Sequence, residues 1–137
     1  MSILSIYAPQ AGLDTVIKDA FYDELHCSIV KIGESENLFL CGDFNGHIGN
    51  SSAGYDGVHG GFGIGERNVE GEGILEFSIA YDLVICNSLF RASSLVTYQS
   101  GGSSIQVDYV LTRRCDLKLV RNAKVIPGKN VLCNTDY

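Results

Sequence analysis

Leu38-Phe39-Leu40-Cys41-Gly42-Asp43-Phe44-Asn45-Gly46 is the stretch that decides the fold. Its apolar start follows the polar break Glu34-Ser35-Glu36-Asn37 and is short and continuous, as in a strand buried on both faces. Upstream, Ile3, Leu4 and Ile6 up to Tyr7 read as a second strand, stopped by Pro9 because proline lacks the donor a ladder needs. Between them Asp14 is a good N-cap, and Ile17, Phe21, Leu25, Ile29 and Ile32 line one face of a helix that ends near Gly33. Strand, helix and strand in that order predict a βαβ unit and a layered α/β fold.

Downstream, Gly42 to Gly73 holds eleven of the sixteen glycines with little apolar periodicity, which predicts a long irregular loop of the functional or mobile kind. A second helix is predicted from about Glu72 to Tyr81, then a buried strand Leu83-Val84-Ile85-Cys86. Val96-Thr97-Tyr98 and Ile105 to Leu111 read as a hairpin with Ser100-Gly101-Gly102-Ser103 at its tip, and Leu117 to Ile126 as a last strand.

With 137 residues, 45% hydrophobic and 19% charged, the chain has the size and apolar content of one ordinary domain. No apolar run approaches the roughly 18 residues of a membrane span, and the N-terminus has no secretory-signal features. Five scattered cysteines without a C-x-x-C pair predict reduced thiols in an intracellular, nuclear or cytoplasmic protein. The chain opens on a strand and closes on Asn134-Thr135-Asp136-Tyr137, which predicts residues 1–137 to be a single domain incomplete at both ends. Open sheet edges then favour homo-association. Residues 1–82 carry three basic and thirteen acidic side chains, a net of −10, whereas 83–137 carry seven and three, a net of +4. The basic half is therefore the surface that suits phosphates, although Arg113-Arg114 is its only cluster.

Several residues suit chemistry. Asp43 and Asn45, two apart at a strand end, combine a carboxylate that holds a metal or a proton with an amide that donates and accepts. An Asx turn, in which both satisfy loop backbone, is the simpler reading of the pair alone. Asp108 is a carboxylate inside a β-forming run and shares a face with Gln106 and Val110; that face is solvent-exposed, or the carboxylate orients an imidazole. Tyr7 at its strand end either packs locally or contacts a phosphate. His26 lies off the apolar face of the first helix. His47 and His59, with Cys41, match no familiar zinc spacing. Gly60-Gly61-Phe62-Gly63-Ile64-Gly65 is misplaced for a dinucleotide fingerprint or a P-loop.

Taken in order, Tyr7-Ala8-Pro9-Gln10, Gly42-Asp43-Phe44-Asn45, Thr97-Tyr98 and Val107-Asp108-Tyr109 resemble the endonuclease/exonuclease/phosphatase superfamily. The stretch Leu38 to Asn68, with Gly46-His47-Ile48-Gly49, Gly54-Tyr55-Asp56 and Val58-His59-Gly60-Gly61-Phe62-Gly63, looks like the apurinic-type endonuclease domain of RTE/BovB-like retrotransposons. It is equally similar to the host-captured versions, the craniofacial development protein 2-like (Bucentaur) proteins. The resemblance implies a partial four-layer α/β sandwich and a Mg²⁺- or Mn²⁺-dependent phosphodiesterase, a hydrolase acting on DNA or another nucleic acid. By the same resemblance Asp43 orients the attacking water or protonates the leaving group, and Asn45 binds phosphate. Tyr7 contacts the scissile phosphate, Asp108 orients the catalytic histidine, and Thr97 and Tyr98 wall the nucleic-acid groove. Asp136 is the metal-side acid. The family's metal-binding Glu precedes the strand that ends in Tyr7, and Tyr137 stands where its catalytic histidine would be. A positioned general base contributes about 10²- to 10⁴-fold, so the departures imply weak or lost activity. The alternative is a non-catalytic nucleic-acid or protein interaction module on the same scaffold.

Overall fold

The computed structural model describes residues 1–91, 98–100 and 103–123, with backbone only for 98–100 and 103–104. Strand β1 (Ser2–Tyr7) leads into helix α1 (Thr15–Lys31) and returns as β2 (Leu38–Asp43), parallel to β1 from Ser2 opposite Leu38 to Tyr7 opposite Asp43. This is the predicted βαβ unit. Asp14 caps α1 by accepting from the Val16 N–H at 3.1 Å, and the helix stops at Ile32, whose backbone is extended.

Helix α2 (Val69–Ala80) and β3 (Leu83–Ile85) follow, then a 3₁₀ turn at Cys86–Leu89. Strands β4 (Tyr98–Ser100) and β5 (Ser103–Ile105) form a small antiparallel pair, and β6 (Asp108–Arg113) enters the main sheet. The main sheet has the order β1-β2-β6-β3, with β6 antiparallel to both neighbours. The protein is thus α/β, with a mixed four-stranded sheet.

One face of the sheet carries Ile6, Leu38, Leu40, Leu83, Ile85, Tyr109 and Leu111. These pack with Leu25 and Ile29 of α1 and with Ile74 and Leu75 of α2, so both helices lie on this side. The opposite face of β2 carries Phe39, Cys41 and Asp43, each only half-buried. The continuous apolar run therefore does not mean equal burial of β2 on both faces. At the open end of the sheet, β1 turns its Ser2 and Ala8 N–H groups to Asn37 O and Asp43 O. Parallel pairing then points the backbone groups of Ile3, Ser5 and Tyr7 outward.

Three predicted elements differ. Helix α2 begins three residues earlier than expected, at Val69, because Asn68 caps it by accepting from Gly71 N–H at 2.8 Å. Gly71 belongs there because a Cβ would overlap the carbonyl of His47 in the preceding loop. The expected strand Leu117 to Ile126 is a 3₁₀ turn over Arg114–Leu119, and residues 124–126 lie outside the described ones. Asp116 draws that turn inward, accepting from Asn37 Nδ2 at 2.7 Å and Leu38 N–H at 3.1 Å. Finally, Ile105 to Leu111 is not one strand: it breaks at Gln106-Val107, with β5 paired to β4 and β6 in the main sheet.

The expected loop from Gly42 to Gly73 is shortened at its ends by β2 and α2; between Phe44 and Asn68 it has no helix or strand beyond a bridge between Asp56 and His59, yet it buries Phe44, Ile48, Tyr55, Val58 and His59. Arg67 ties it together, donating to Ile48 O, Ala53 O and Ser51 O at 3.2, 3.1 and 2.8 Å and lying over the Tyr55 ring at 4.7 Å.

Candidate functional site

Tyr7, Asp43 and Asp108 form one row across three strands. Tyr7 is opposite Asp43 in the parallel pair, and Asp43 is opposite Asp108 in the antiparallel pair. Phe44 N–H donates to Val107 O at 2.8 Å, which makes Phe44 and Val107 a hydrogen-bonded pair and Asp43 and Asp108 a non-bonded one. In such pairs the side chains share a face with Cβ atoms about 4.5–5.5 Å apart. Both carboxylates are half-buried, whereas Tyr7 is 73% exposed. Tyr7 also borders an apolar surface groove of about 610 Å³ with Pro9, Leu13, Val16 and Ile17.

The row owes its closeness to Gly42. A Cβ at this position would overlap the Ile6 carbonyl and force β1 away from β2. Immediately beyond the row the chain turns at Asn45, which has a left-handed backbone (φ 46°). The Asn45 N–H donates to Asp43 Oδ1 at 2.8 Å, and Asn45 Nδ2 donates to Ala8 O at 2.6 Å. The Asx turn is thus present, and it uses one Asp43 oxygen and the Asn45 amide nitrogen to lock the strand end.

The remaining expected residues are not all brought to this row. Thr97 and Asp136 lie outside the described residues, and Tyr98 begins β4. Asp108 and Val110 are half-buried, so the face they share on β6 is not simply a solvated one, and Gln106, 3% exposed, lies before β6 in the break rather than on that face. His59 is structural: its Nδ1 accepts from Gly61 N–H at 2.8 Å, so Nε2 carries the proton and donates to Gly49 O at 2.8 Å. Burial holds its pKa below the usual 6.5. His26 is exposed on α1 and meets the Tyr81 hydroxyl. The Arg113-Arg114 cluster is committed within the chain: Arg113 donates to Gly33 O and Glu36 O at 3.0 and 2.7 Å, and Arg114 pairs with Asp82 at 2.9 Å. Cys27, Cys41, Cys86 and Cys115 are free thiols.

Three residues around the row escaped the sequence reading. The buried Tyr109 hydroxyl reaches Gly46 O and Gln106 O, both at 2.8 Å, and accepts from Ile48 N–H at 3.3 Å, fastening the loop to β6. Burial raises its pKa far above the usual tyrosine range. Asn87 Oδ1 accepts from Val110 N–H at 2.7 Å and so continues the β6 ladder where β3 has ended. Gln106 is buried with neither its amide nitrogen nor its amide oxygen hydrogen-bonded. Its position two residues before Asp108 was the available signal.

Among the described residues no group of three or more His, Cys, Asp or Glu side chains is arranged to hold a metal. The chemistry of the row nevertheless suits Mg²⁺, a hard cation that takes oxygen ligands and needs only one or two protein carboxylates when a phosphate and waters complete its shell.

No known protein-family model matches the chain. Over its full length it is 30% identical to craniofacial development protein 2 of Bos taurus and 29% identical to craniofacial development protein 2 of Tragulus javanicus. It spans 23% and 24% of the lengths of those two proteins. The chain is therefore similar, from end to end, to one portion of craniofacial development protein 2.

Proposed function

We propose that this chain is a portion of a retroelement-derived, Mg²⁺-dependent phosphodiesterase of the endonuclease/exonuclease/phosphatase type, with weak activity on DNA or another nucleic acid. The observation that carries the reading is the register of Asp43 opposite Asp108, with Tyr7 in the same row. A carboxylate that ends β2, opposite one that opens the antiparallel β6 and beside an exposed tyrosine, supplies groups of the kind that phosphodiester hydrolysis employs. A divalent cation held there, with Mn²⁺ as a substitute, supplies charge against the negative phosphate. Asp108 and the Asp43 oxygen left free by the turn would hold the cation, while water attacks phosphorus as the P–O ester bond breaks, its proton passing to solvent and the leaving oxygen taking one from solvent. The Tyr7 hydroxyl donates to a phosphate oxygen. Tyr137 replaces the imidazole that the resemblance places in the set, and a phenol with an ordinary pKa near ~10 is a poor substitute at neutral pH.

One observation favours a second reading, a non-catalytic nucleic-acid or protein interaction module: Asp43 and Asn45 already serve the backbone of their own turn. Nicking of supercoiled plasmid with Mg²⁺ tests the choice. Slow nicking lost in Asp43→Ala and Asp108→Ala supports the phosphodiesterase. Nicking that survives both substitutions removes the row from the chemistry, and DNA binding without nicking or metal binding supports the module.

A further inference from the structure

We infer that the open edge of β1 is a docking site for an extended segment of another polypeptide, which adds a strand to the four-stranded sheet and sets a Lys or Arg side chain against Glu24. The inference is independent of the phosphodiesterase reading. Ile3, Ser5 and Tyr7 are exposed, and their N–H and C=O groups point away from β2, because the alternate positions, Ser2 and Ala8 among them, serve the β2 side. Among the described residues no strand pairs with this edge. It also lacks the usual protection of an edge: Ser2 to Tyr7 include no charged residue and no proline, and the register with β2 is unbroken.

The surface beside the edge selects the occupant. Two hollows, of about 610 and 360 Å³, follow β1 along α1 and share Tyr7, Phe21 and Glu24 in their walls. Ile17 belongs to the apolar stripe of α1 with Phe21 and Leu25, yet it is 48% exposed, and its neighbour Val16 is 72% exposed. The helix thus turns toward the edge apolar surface that the core does not cover. Glu24 is the only charged side chain lining either hollow, and among the described residues its carboxylate forms no ion pair.

A lone carboxylate in an apolar groove attracts a cationic side chain and repels an anionic one. Nucleic acid is disfavoured on the same ground, since residues 1–82 carry a net charge of −10. A second copy fits poorly as well. Pairing β1 with itself about Ser5, the middle outward residue, brings up a second Glu24, and β1 has no basic residue to offer. Edge and groove are satisfied together by a foreign strand whose groove face carries apolar side chains around one basic residue.

The probe is the fluorescently labelled peptide acetyl-Thr-Val-Thr-Arg-Thr-Val-Thr-amide, in which alternation puts Val, Arg and Val on one face, together with a counterpart carrying Glu in place of Arg. Binding to the full chain is read by fluorescence anisotropy and by hydrogen exchange. The Arg peptide is expected to bind about fivefold more tightly than the Glu peptide and to slow exchange at the Ile3, Ser5 and Tyr7 amides. Glu24→Lys, at an exposed helix position, is expected to reverse the order of the two peptides. Ser5→Pro removes an outward donor that the β1–β2 ladder does not use, so it should leave the β2 amide of Leu40 protected and weaken the Arg peptide about tenfold or more. If Ser5→Pro does not fold, Glu24→Lys and the exchange data decide. Absence of binding, no slowing at the three amides under saturating Arg peptide, an unchanged order in Glu24→Lys, or unchanged affinity in folded Ser5→Pro overturns the inference. A dimer of the unaltered chain in sedimentation that Ser5→Pro dissolves also overturns it, and assigns the edge to a second copy.

Discussion

Asp43 and Asp108 face each other across β2 and β6 as a non-hydrogen-bonded pair, two like charges at the closest cross-strand position an antiparallel ladder offers. Like charges opposed in this way weaken a sheet. Asp43→Asn keeps an oxygen for the Asn45 N–H and removes one charge. Its melting midpoint in metal-free buffer should rise by about 1–4 °C, and the upward shift on adding Mg²⁺ should shrink or vanish. Calorimetry with and without Mg²⁺ reads both; a drop in midpoint with an unchanged Mg²⁺ response removes the pair as a cation site.

Tyr109→Phe leaves the core volume nearly intact and deletes the hydroxyl that links Gly46, Ile48 and Gln106. Because Ile48 N–H and the carbonyls lose a buried partner, the loss should be about 1–3 kcal/mol in urea unfolding. Hydrogen exchange at the Ile48 amide should accelerate by more than at Leu40 in β2.

Arg67→Ala removes three donors to loop carbonyls and the cation over Tyr55. Expected is a cost of about 1–2 kcal/mol, with faster proteolysis between Ser51 and Arg67. Arg67→Lys should rescue little, since an ammonium cannot span three carbonyls from one plane. Full rescue by lysine would show that charge alone holds the loop.

His59 gives the fold a pH dependence with a definite sign. Burial depresses its folded pKa below the usual 6.5, so the unfolded chain takes up the proton first as pH falls. Its contribution to stability is complete above about 6.5 and declines as pH falls from there toward the folded pKa. The unfolding midpoint in urea should therefore fall from pH 7 to pH 5, and the fall should be shallower in His59→Gln. Equal slopes in the two proteins would assign the dependence to other groups.

Helix α1 of the βαβ unit was legible because its signal lies in residues close in sequence, whereas Tyr7, Asp43 and Asp108 were singled out one by one and only the sheet sets them in one row. The spacing of Phe21, Leu25 and Ile29 marks one helix face; Tyr7 and Asp43 each follow an apolar run, and Asp108 is the lone carboxylate inside one. What was hidden depends on distant partners. The start of α2 at Val69 needs Gly71, poor in a helix by propensity, because the His47 carbonyl lies against it. The turn at Arg114–Leu119 follows from Asp116 reaching Asn37 and Leu38, 79 and 78 residues away. Buried loop residues such as Ile48 and Val58 carry no periodicity, since no regular element positions them. Gln106 was passed over because a polar residue in a strand reads as solvent-facing until its burial is known.

The position of β6 between β2 and β3 has a consequence for how the molecule comes into being. β1, α1 and β2 are contiguous and can form as soon as they are made, but the sheet is closed by a segment some 65 residues beyond β2, with Leu40 meeting Leu111. Contacts of such separation are costly in loop entropy and arrive late in folding. Until Asp108 docks, the row has one carboxylate. The site therefore comes into existence with the last strand of the sheet, and a nascent chain that has made only β1, α1 and β2 carries the fold's beginning without its charge pair.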